Sequence, residues 1–346
     1  MAVNKLIIDD VVELDLTADT VTADTLAEGT TAHDASGASI TGTMKSDGGD
    51  EWAIAFIQSN QGEGITSLPD GITSIGAYTF YNYENLALTS LPDGITSIGI
   101  SAFQRCSNLA LTSLPAELKS IGSNAFYDCK KLALNSLPDG LTYIGSYAFE
   151  RCTSLTLTSL PSGLPKIYSS TFEGCTNLAL TSLPDGITEI DLYAFDGCTN
   201  LALTSLPDGL TEIESYAFRE CTTLNLSALP SKITTISGNT FNGCSNLALT
   251  NLPDGITLIM DSAFYNCTKL ALTSLPSGLT CIEKNAFYGC TGLTSITFKS
   301  TPDSIAATAF SNCTNLKDIY VPWSKLKVLL APWGATNATI HYNSTV

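Results

Sequence analysis

Ten cysteines recur at one interval. Cys106, Cys129, Cys152, Cys175, Cys198, Cys221, Cys244, Cys267, Cys290 and Cys313 fall in a single phase, i to i+23 at every step. Such a series invites three chemistries: a disulfide framework, a metal array or a row of nucleophiles. If the interval is a stacking period, equivalent residues lie about 4.8 Å apart and point the same way. A disulfide needs Cβ atoms about 3.5–4.5 Å apart with converging vectors. No CxxC pair and no nearby histidine supplies a zinc site. The series therefore reads as a ladder of buried, reduced thiols packing as small hydrophobes. Cys281 falls out of phase and is expected to be the most exposed thiol.

Other catalytic constellations are sparse. His33 and His341 are the only histidines, and they lie near opposite ends of the chain. A Cys-His nucleophile would need one of them beside a ladder cysteine, which stacking disfavours. No glycine-rich phosphate loop or metalloprotease helix is present. Glycoside cleavage would need two carboxylates converging in a cleft, whereas a strict repeat builds a repetitive surface. One acidic row stands out: Asp70, Asp93, Asp139, Asp185, Asp208 and Asp254 share a phase. Asp70 with Asp93, and Asp185 with Asp208, fall on adjacent rungs, where a calcium ion could bridge them. Asp before Gly is also the preferred turn pair, and Ala116, Ser162, Ser231 and Ser277 interrupt the row. The turn reading is favoured. No cofactor, no metal and no enzymatic activity are expected.

The elements that carry these residues repeat with the cysteines. Phenylalanine recurs at the same interval from Phe80 to Phe310, and Leu-Pro does so from Leu68 to Leu275. A period in the low twenties with phased leucines is the signature of a leucine-rich-repeat solenoid. Within a rung, Leu86, Leu88, Leu91 and Pro92 suggest one strand, ended where proline removes a donor. Asp93-Gly94 makes a corner, with glycine expected to adopt positive φ. Ile95 to Ile98 is a second short extended piece. Ala102, Phe103 and Cys106 then fall at i, i+1 and i+4, which predicts one turn of helix facing inward. Only Ala or Thr precedes each phenylalanine, as close packing demands. The expected fold class is an α/β repeat with two short strands and a short helix per rung. Its eleven rungs should extend about 50 Å and be capped at both ends.

The expected domains follow. Residues 1–44 form a small β-rich attachment module. Its strands are Leu6–Asp10, Val11–Leu16 and two within Thr31–Thr43, with a short helix over Thr22–Gly29. Residues 45–51 are a linker, and 52–64 a degenerate rung serving as the N-terminal cap. Residues 65–322 are the solenoid. Leu293 and Leu316 there open a Leu-x-x-Ile-x-Phe/Val strand pattern. Residues 323–346 are the C-terminal cap, with an amphipathic helix over Trp323–Ala331 and a last strand over Ala338–Tyr342.

Sixteen basic and 33 acidic residues leave a formal charge of −17. That argues against a nucleic-acid partner, which needs a basic face, and against anionic membranes. No apolar run approaches the roughly 20 residues of a transmembrane helix, and Met1–Asp10 has no secretory pattern. Release by lysis, or by a route not encoded here, is expected.

Variation between rungs points to a binding face. Ala, Thr and Ser nearly fill the outward positions of the Leu-x-Leu segments, for example Ala87, Thr89, Ala110 and Thr112. The helical edge differs from rung to rung. It carries Tyr78, Tyr81, Arg105, Tyr127, Tyr147, Arg151, Tyr193, Tyr216, Arg219, Tyr265 and Tyr288, with Gln104 and Glu150 among them. Tyrosine and arginine are enriched in binding hot spots.

The rung Asn-Leu-Ala-Leu-Thr-Ser-Leu-Pro-Asp-Gly-Ile-Thr-Ser-Ile-Gly-x-x-Ala-Phe-x-x-Cys resembles the BspA-like class of bacterial leucine-rich repeats over residues 65–322. That resemblance implies a right-handed solenoid on surface or secreted proteins that bind host or bacterial surfaces. Asp15–Met44 and Ala331–Tyr342 resemble segments of tail-associated proteins from phages and prophages of gut bacteria. Together these imply a non-enzymatic binding protein, virion-borne or extracellular. Its solenoid would recognise a protein or glycan on a bacterial or host surface, and residues 1–44 would meet other virion tail proteins. The alternatives are a BspA-like cell-surface adhesin and a structural spacer without ligand.

Overall fold

The computed structural model describes residues 65–68, 71–323 and 331–343, together with four backbone strands nearer the N-terminus. Those strands are β1 (Lys5–Ile8), β2 (Val12–Asp15), β3 (Thr31–His33) and β4 (Ser39–Thr41). β1 pairs antiparallel with β2, and β3 with β4, in agreement with the strands read from the sequence. The expected short helix over Thr22–Gly29, the expected linker 45–51, the expected cap at 52–64 and most of the helix expected over Trp323–Ala331, residues 324–330, lie outside the described residues.

The remainder is a stack of 23-residue rungs. Each Ile-x-x-Ile segment contributes a two-residue strand. These are β5 (Ser74–Ile75), β6 (Ser97–Ile98), β7 (Ser120–Ile121), β8 (Tyr143–Ile144), β9 (Lys166–Ile167), β10 (Glu189–Ile190), β11 (Glu212–Ile213), β12 (Thr235–Ile236) and β13 (Leu258–Ile259). β15 (Cys281–Ile282) and β17 (Ser304–Ile305) continue the series. Neighbours pair in parallel, one rung in register with the next. The row is divided into three sheets, β5–β8, β9–β11 and β12-β13-β15-β17. Proline explains the first division. Thr142 and Thr188 each donate a backbone N–H to the preceding rung at 3.0 Å. Pro165 stands at that position between them and has no N–H to give. At the second division Ser237 Oγ donates to the carbonyl of Ile213 at 2.8 Å. In flanking rungs a backbone N–H fills that role, Glu214 to Ile190 and Met260 to Ile236, each at 2.9 Å.

The Leu-x-Leu segments do not form the expected second strand in the central rungs. Leu86 and Leu88 are buried, but Thr89 and Ser90 both face outward before Leu91 turns in. Two consecutive outward residues break the alternation a pleated strand requires. At most two backbone bonds between successive rungs remain in this segment, such as Ala133 N–H to Leu111 O at 3.1 Å. A true ladder appears only where the pattern changes: β14 (Ser274–Leu275), β16 (Ser295–Phe298), β18 (Asp318–Tyr320) and β19 (Thr339–His341) pair in parallel. In β16 Ile296 and Phe298 are buried and their neighbours less so, the alternation the central rungs lack.

The corner is a tight turn closed by Ile95 N–H to Pro92 O at 3.3 Å and repeated in later rungs. The glycine at this corner does not adopt positive φ, except at Gly71. Ordinary backbone geometry explains why Glu117 and Lys232 take the same place in two rungs.

The largest correction concerns the expected helix. No described residue is helical. The Ala-Phe-x-x-Cys stretch is a chain of tight turns whose N–H groups bond to the next rung. In the first described rung, Tyr78, Phe80 and Asn82 donate to Ile100, Ala102 and Gln104 at 2.8, 2.7 and 2.8 Å. Two residues in most rungs take left-handed backbone, here Tyr78 (φ 59°) and Asn82 (φ 65°). A lone helical turn fixes three residues for one bond, whereas stacking supplies three bonds to most rungs.

The core fills the space between sheet and turns. Eleven phenylalanine rings, Phe80 to Phe310, are fully buried. They stack near-parallel with centroids 5.0–5.7 Å apart. Phe310 N–H then donates to Trp333 O at 2.9 Å. Trp333 holds the next place in the phenylalanine phase after Phe310 and is buried, so residues 331–343 continue the stack as a further partial rung.

Candidate functional site

All eleven cysteines are free thiols. Each of the ten ladder cysteines is buried, and its S–H donates to the phenylalanine carbonyl of the preceding rung, as in Cys198 to Phe172 at 3.0 Å. The thiol is thus a hydrogen-bond donor as well as a small apolar filler, which the sequence did not reveal. Burial pushes these thiols up, to about 12 for Cys106 and Cys313. Such groups hold no thiolate at neutral pH, and the thiolate is the nucleophile. Cys281 is half-buried and accepts a hydrogen bond from Ser304 Oγ at 3.1 Å.

Of the acidic corner row, Asp93, Asp139, Asp185, Asp208 and Asp254 lie among the described residues and Asp70 does not. No described group of three or more potential ligands could hold a metal ion. His341 stacks on Tyr320 at 4.5 Å and bonds Asp318 at 2.8 Å, away from the cysteine ladder.

The turn edge places the tyrosines and arginines in three columns. Tyr78, Tyr147, Tyr193 and Tyr216 occupy the first left-handed position, which is Ser or Asn in most other rungs. Tyr81, Tyr127, Arg219, Tyr265 and Tyr288 stand three positions later. Arg105 and Arg151 occupy the second left-handed position. An L-residue there costs about 1–2 kcal/mol, least for Asn. A tyrosine side chain in the first column therefore brings no local backbone advantage.

These residues form separate groups. Tyr78 and Tyr81 meet edge to face at 5.9 Å, both exposed. Arg151 lies over the Tyr127 ring at 6.0 Å, and its Nε is 3.6 Å from the buried Glu150 carboxylate. Burial, reinforced by Glu173, raises the Glu150 carboxyl to about 7, against the pull of Arg151. Tyr193 and Tyr216 stack at 4.6 Å. Arg219 lies over both rings, at 5.7 and 5.2 Å, and forks onto the buried Asp196, Nε to Oδ1 at 2.9 Å and Nη2 to Oδ2. Tyr265 and Tyr288 form a second stacked pair at 4.6 Å.

Sequence reasoning overlooked a neighbouring column on the sheet side. It begins Gly76, Gly99, Gly122, Gly145 and continues Tyr168, Asp191, Glu214. In the early rungs a Cβ would collide with the preceding backbone, 2.6 Å from Ala77 N at Gly99 and 2.5 Å from Ser123 N at Gly145. Past Pro165 side chains stand there. Lys166 lies over Tyr168 at 4.8 Å and reaches Glu189 and Asp191, each at 3.1 Å. The loss of glycine from this phase was the available signal.

The chain is similar to solved leucine-rich-repeat structures. A leucine rich cell surface protein from Faecalibacterium prausnitzii A2-165 is 28% identical, with a TM-score of 0.52 over 80% of this chain and 84% of that chain. A leucine-rich repeat protein from Bacteroides ovatus ATCC 8483 is 24% identical, with a TM-score of 0.40 over 79% of this chain and 88% of that one. Pneumococcal vaccine antigen PcpA is 20% identical, with a TM-score of 0.46 over 81% and 79%. No curated protein matches the chain. The model of the BspA type leucine rich repeat region matches in overlapping stretches, residues 55–179, 121–248, 166–273 and 240–329. With the 23-residue stack and its Phe and Cys ladders, this match places the chain in the BspA type leucine rich repeat family.

Proposed function

We propose that this protein is a non-enzymatic adhesin of the BspA type that recognises a surface ligand through its turn edge. The observation that carries the reading is the Tyr193–Tyr216–Arg219 group. Its two tyrosines occupy left-handed positions where neighbouring rungs use small polar residues, and stacked rings with an arginine are the chemistry of binding hot spots. A partner protein or glycan of a bacterial or host surface would lie along the edge and cross several rungs. Similarity to a cell surface protein supports a surface location. The alternative, a tail-associated role through residues 1–44, rests on the terminal segments, which the family match over 55–329 does not reach.

The test is binding of the labelled full chain to whole bacterial and epithelial cells, beside a variant with Tyr193→Ala, Tyr216→Ala and Arg219→Ala. Selective binding lost in the variant is the expected result. Selective binding that survives moves the site elsewhere on the solenoid. Absence of binding to every surface leaves the solenoid as a spacer.

A further inference from the structure

Charge along the solenoid is unevenly distributed. Between Lys166 and Glu220 there are nine acidic residues and two basic ones. Between Cys221 and Cys290 there are three of each. The acidic stretch coincides with the middle sheet, β9 to β11, which the Pro165 and Ser237 interruptions set apart. Its outward pairs are Lys166 and Tyr168, Glu189 and Asp191, then Glu212 and Glu214.

This stretch already holds two cations of its own, one on the sheet side and one on the turn edge, joined through Asp191-Leu192-Tyr193, and both sit in the same kind of seat. The Lys166 ammonium rests 4.8 Å over Tyr168 between Glu189 and Asp191. The Arg219 guanidinium rests over Tyr193 and Tyr216 on Asp196. Each seat joins an aromatic face to a carboxylate, the combination that favours organic cations. The two internal cations leave acid in excess. Burial and the neighbouring Glu214 raise the Glu212 carboxyl, with Glu189 and Asp191 adding like charge. Leu192 is 40% exposed between Asp191 and Tyr193, adding apolar surface to the same rung.

We infer that the face spanning Lys166 to Glu220 is a docking surface for a lysine- and arginine-rich polypeptide segment of the partner. Its basic side chains would settle on the carboxylates of β10 and β11, and its stems and guanidinium planes on Tyr193, Tyr216 and Leu192. Charge complementarity selects this occupant, because a neutral glycan would leave the excess carboxylates uncompensated. The inference deepens the adhesin reading and rests on it.

The experiment measures anisotropy of a labelled decapeptide of alternating lysine and arginine, titrated with the full-length chain. Glu212→Gln with Glu214→Gln should weaken binding about tenfold, and Tyr216→Asn by a similar factor, a loss of about 1.4 kcal/mol. Asp254→Asn with Glu283→Gln removes the same formal charge from a distant stretch and should change little. Circular dichroism confirms that each variant keeps its fold. Equal weakening by the two neutralised pairs would mean a diffuse field and overturn the inference, as would no weakening at all. Competition by spermine as effective as by unlabelled peptide would make the seat one for small polyamines and also overturn it. Failure of the peptide with cell binding intact sinks this inference alone; failure of both sinks the adhesin reading.

Discussion

The two sides of each rung are held together differently. On the sheet side, two-residue strands pair in a row that is interrupted twice. On the turn side, three N–H groups from each of most rungs donate to the next, and this ladder crosses both interruptions. Tyr147, Phe149 and Arg151 donate to Ser169, Thr171 and Glu173, and Tyr216, Phe218 and Glu220 donate to Gly238, Thr240 and Asn242, all at 2.7–3.0 Å. The lesson concerns where a repeat can vary. The turn ladder uses backbone alone, so its outward side chains can change from rung to rung without loosening the stack. The early sheet packs so closely that glycine is needed at Gly99 and Gly145, and variation begins there only past Pro165.

That contrast can be tested hardest at the ring beneath the turn ladder. Phe195→Ala removes a fully buried member of the stack and should cost about 3–5 kcal/mol, read from the urea midpoint. A cost below that of an Ile190→Val change on the sheet side, about 0.5–1.5 kcal/mol, would break the contrast between a continuous turn side and an interrupted sheet side.

A smaller effect tests how an outward position becomes buried. The Glu150 carboxyl lies at about 7 in the folded chain, raised from 4.5 by burial and Glu173. The folded state therefore binds this proton more tightly than the unfolded state. Stability from this group is full below about pH 4.5 and falls as pH rises toward 7. Glu150→Gln should remove that slope and stabilise the protein at pH 8 by about 1–3 kcal/mol. Parallel stability–pH curves for wild type and variant would show that Glu150 titrates normally.

The smallest expected effect sharpens the comparison most. Tyr193→Asn gives up ring stacking and the Arg219 contact but places a residue suited to left-handed backbone. Its stability should stay within about 1 kcal/mol of wild type, while cell binding falls. A large loss of stability would make the outer tyrosines part of the scaffold.

Much of this molecule was legible in its residues. The interval of 23, the phenylalanine and cysteine ladders and the absence of disulfides follow from side-chain type and period. Pro165 marks a division in the sheet for a local reason, its missing N–H. Trp333 continues the phenylalanine phase and could have been found by counting on from Phe310.

Tertiary structure alone decided the conformation of the varied edge and what its side chains touch. The Phe103 N–H could have served a local helix, but it bonds Ala125 O in the next rung at 2.7 Å. No local pattern encodes that choice, because the winning acceptor belongs to another rung and is in place only once rungs stack. Tyr193, Tyr216, Asp196 and Arg219 meet for the same reason: neighbours across rungs are set by stacking, whereas the sequence by itself determines only which residues share a phase.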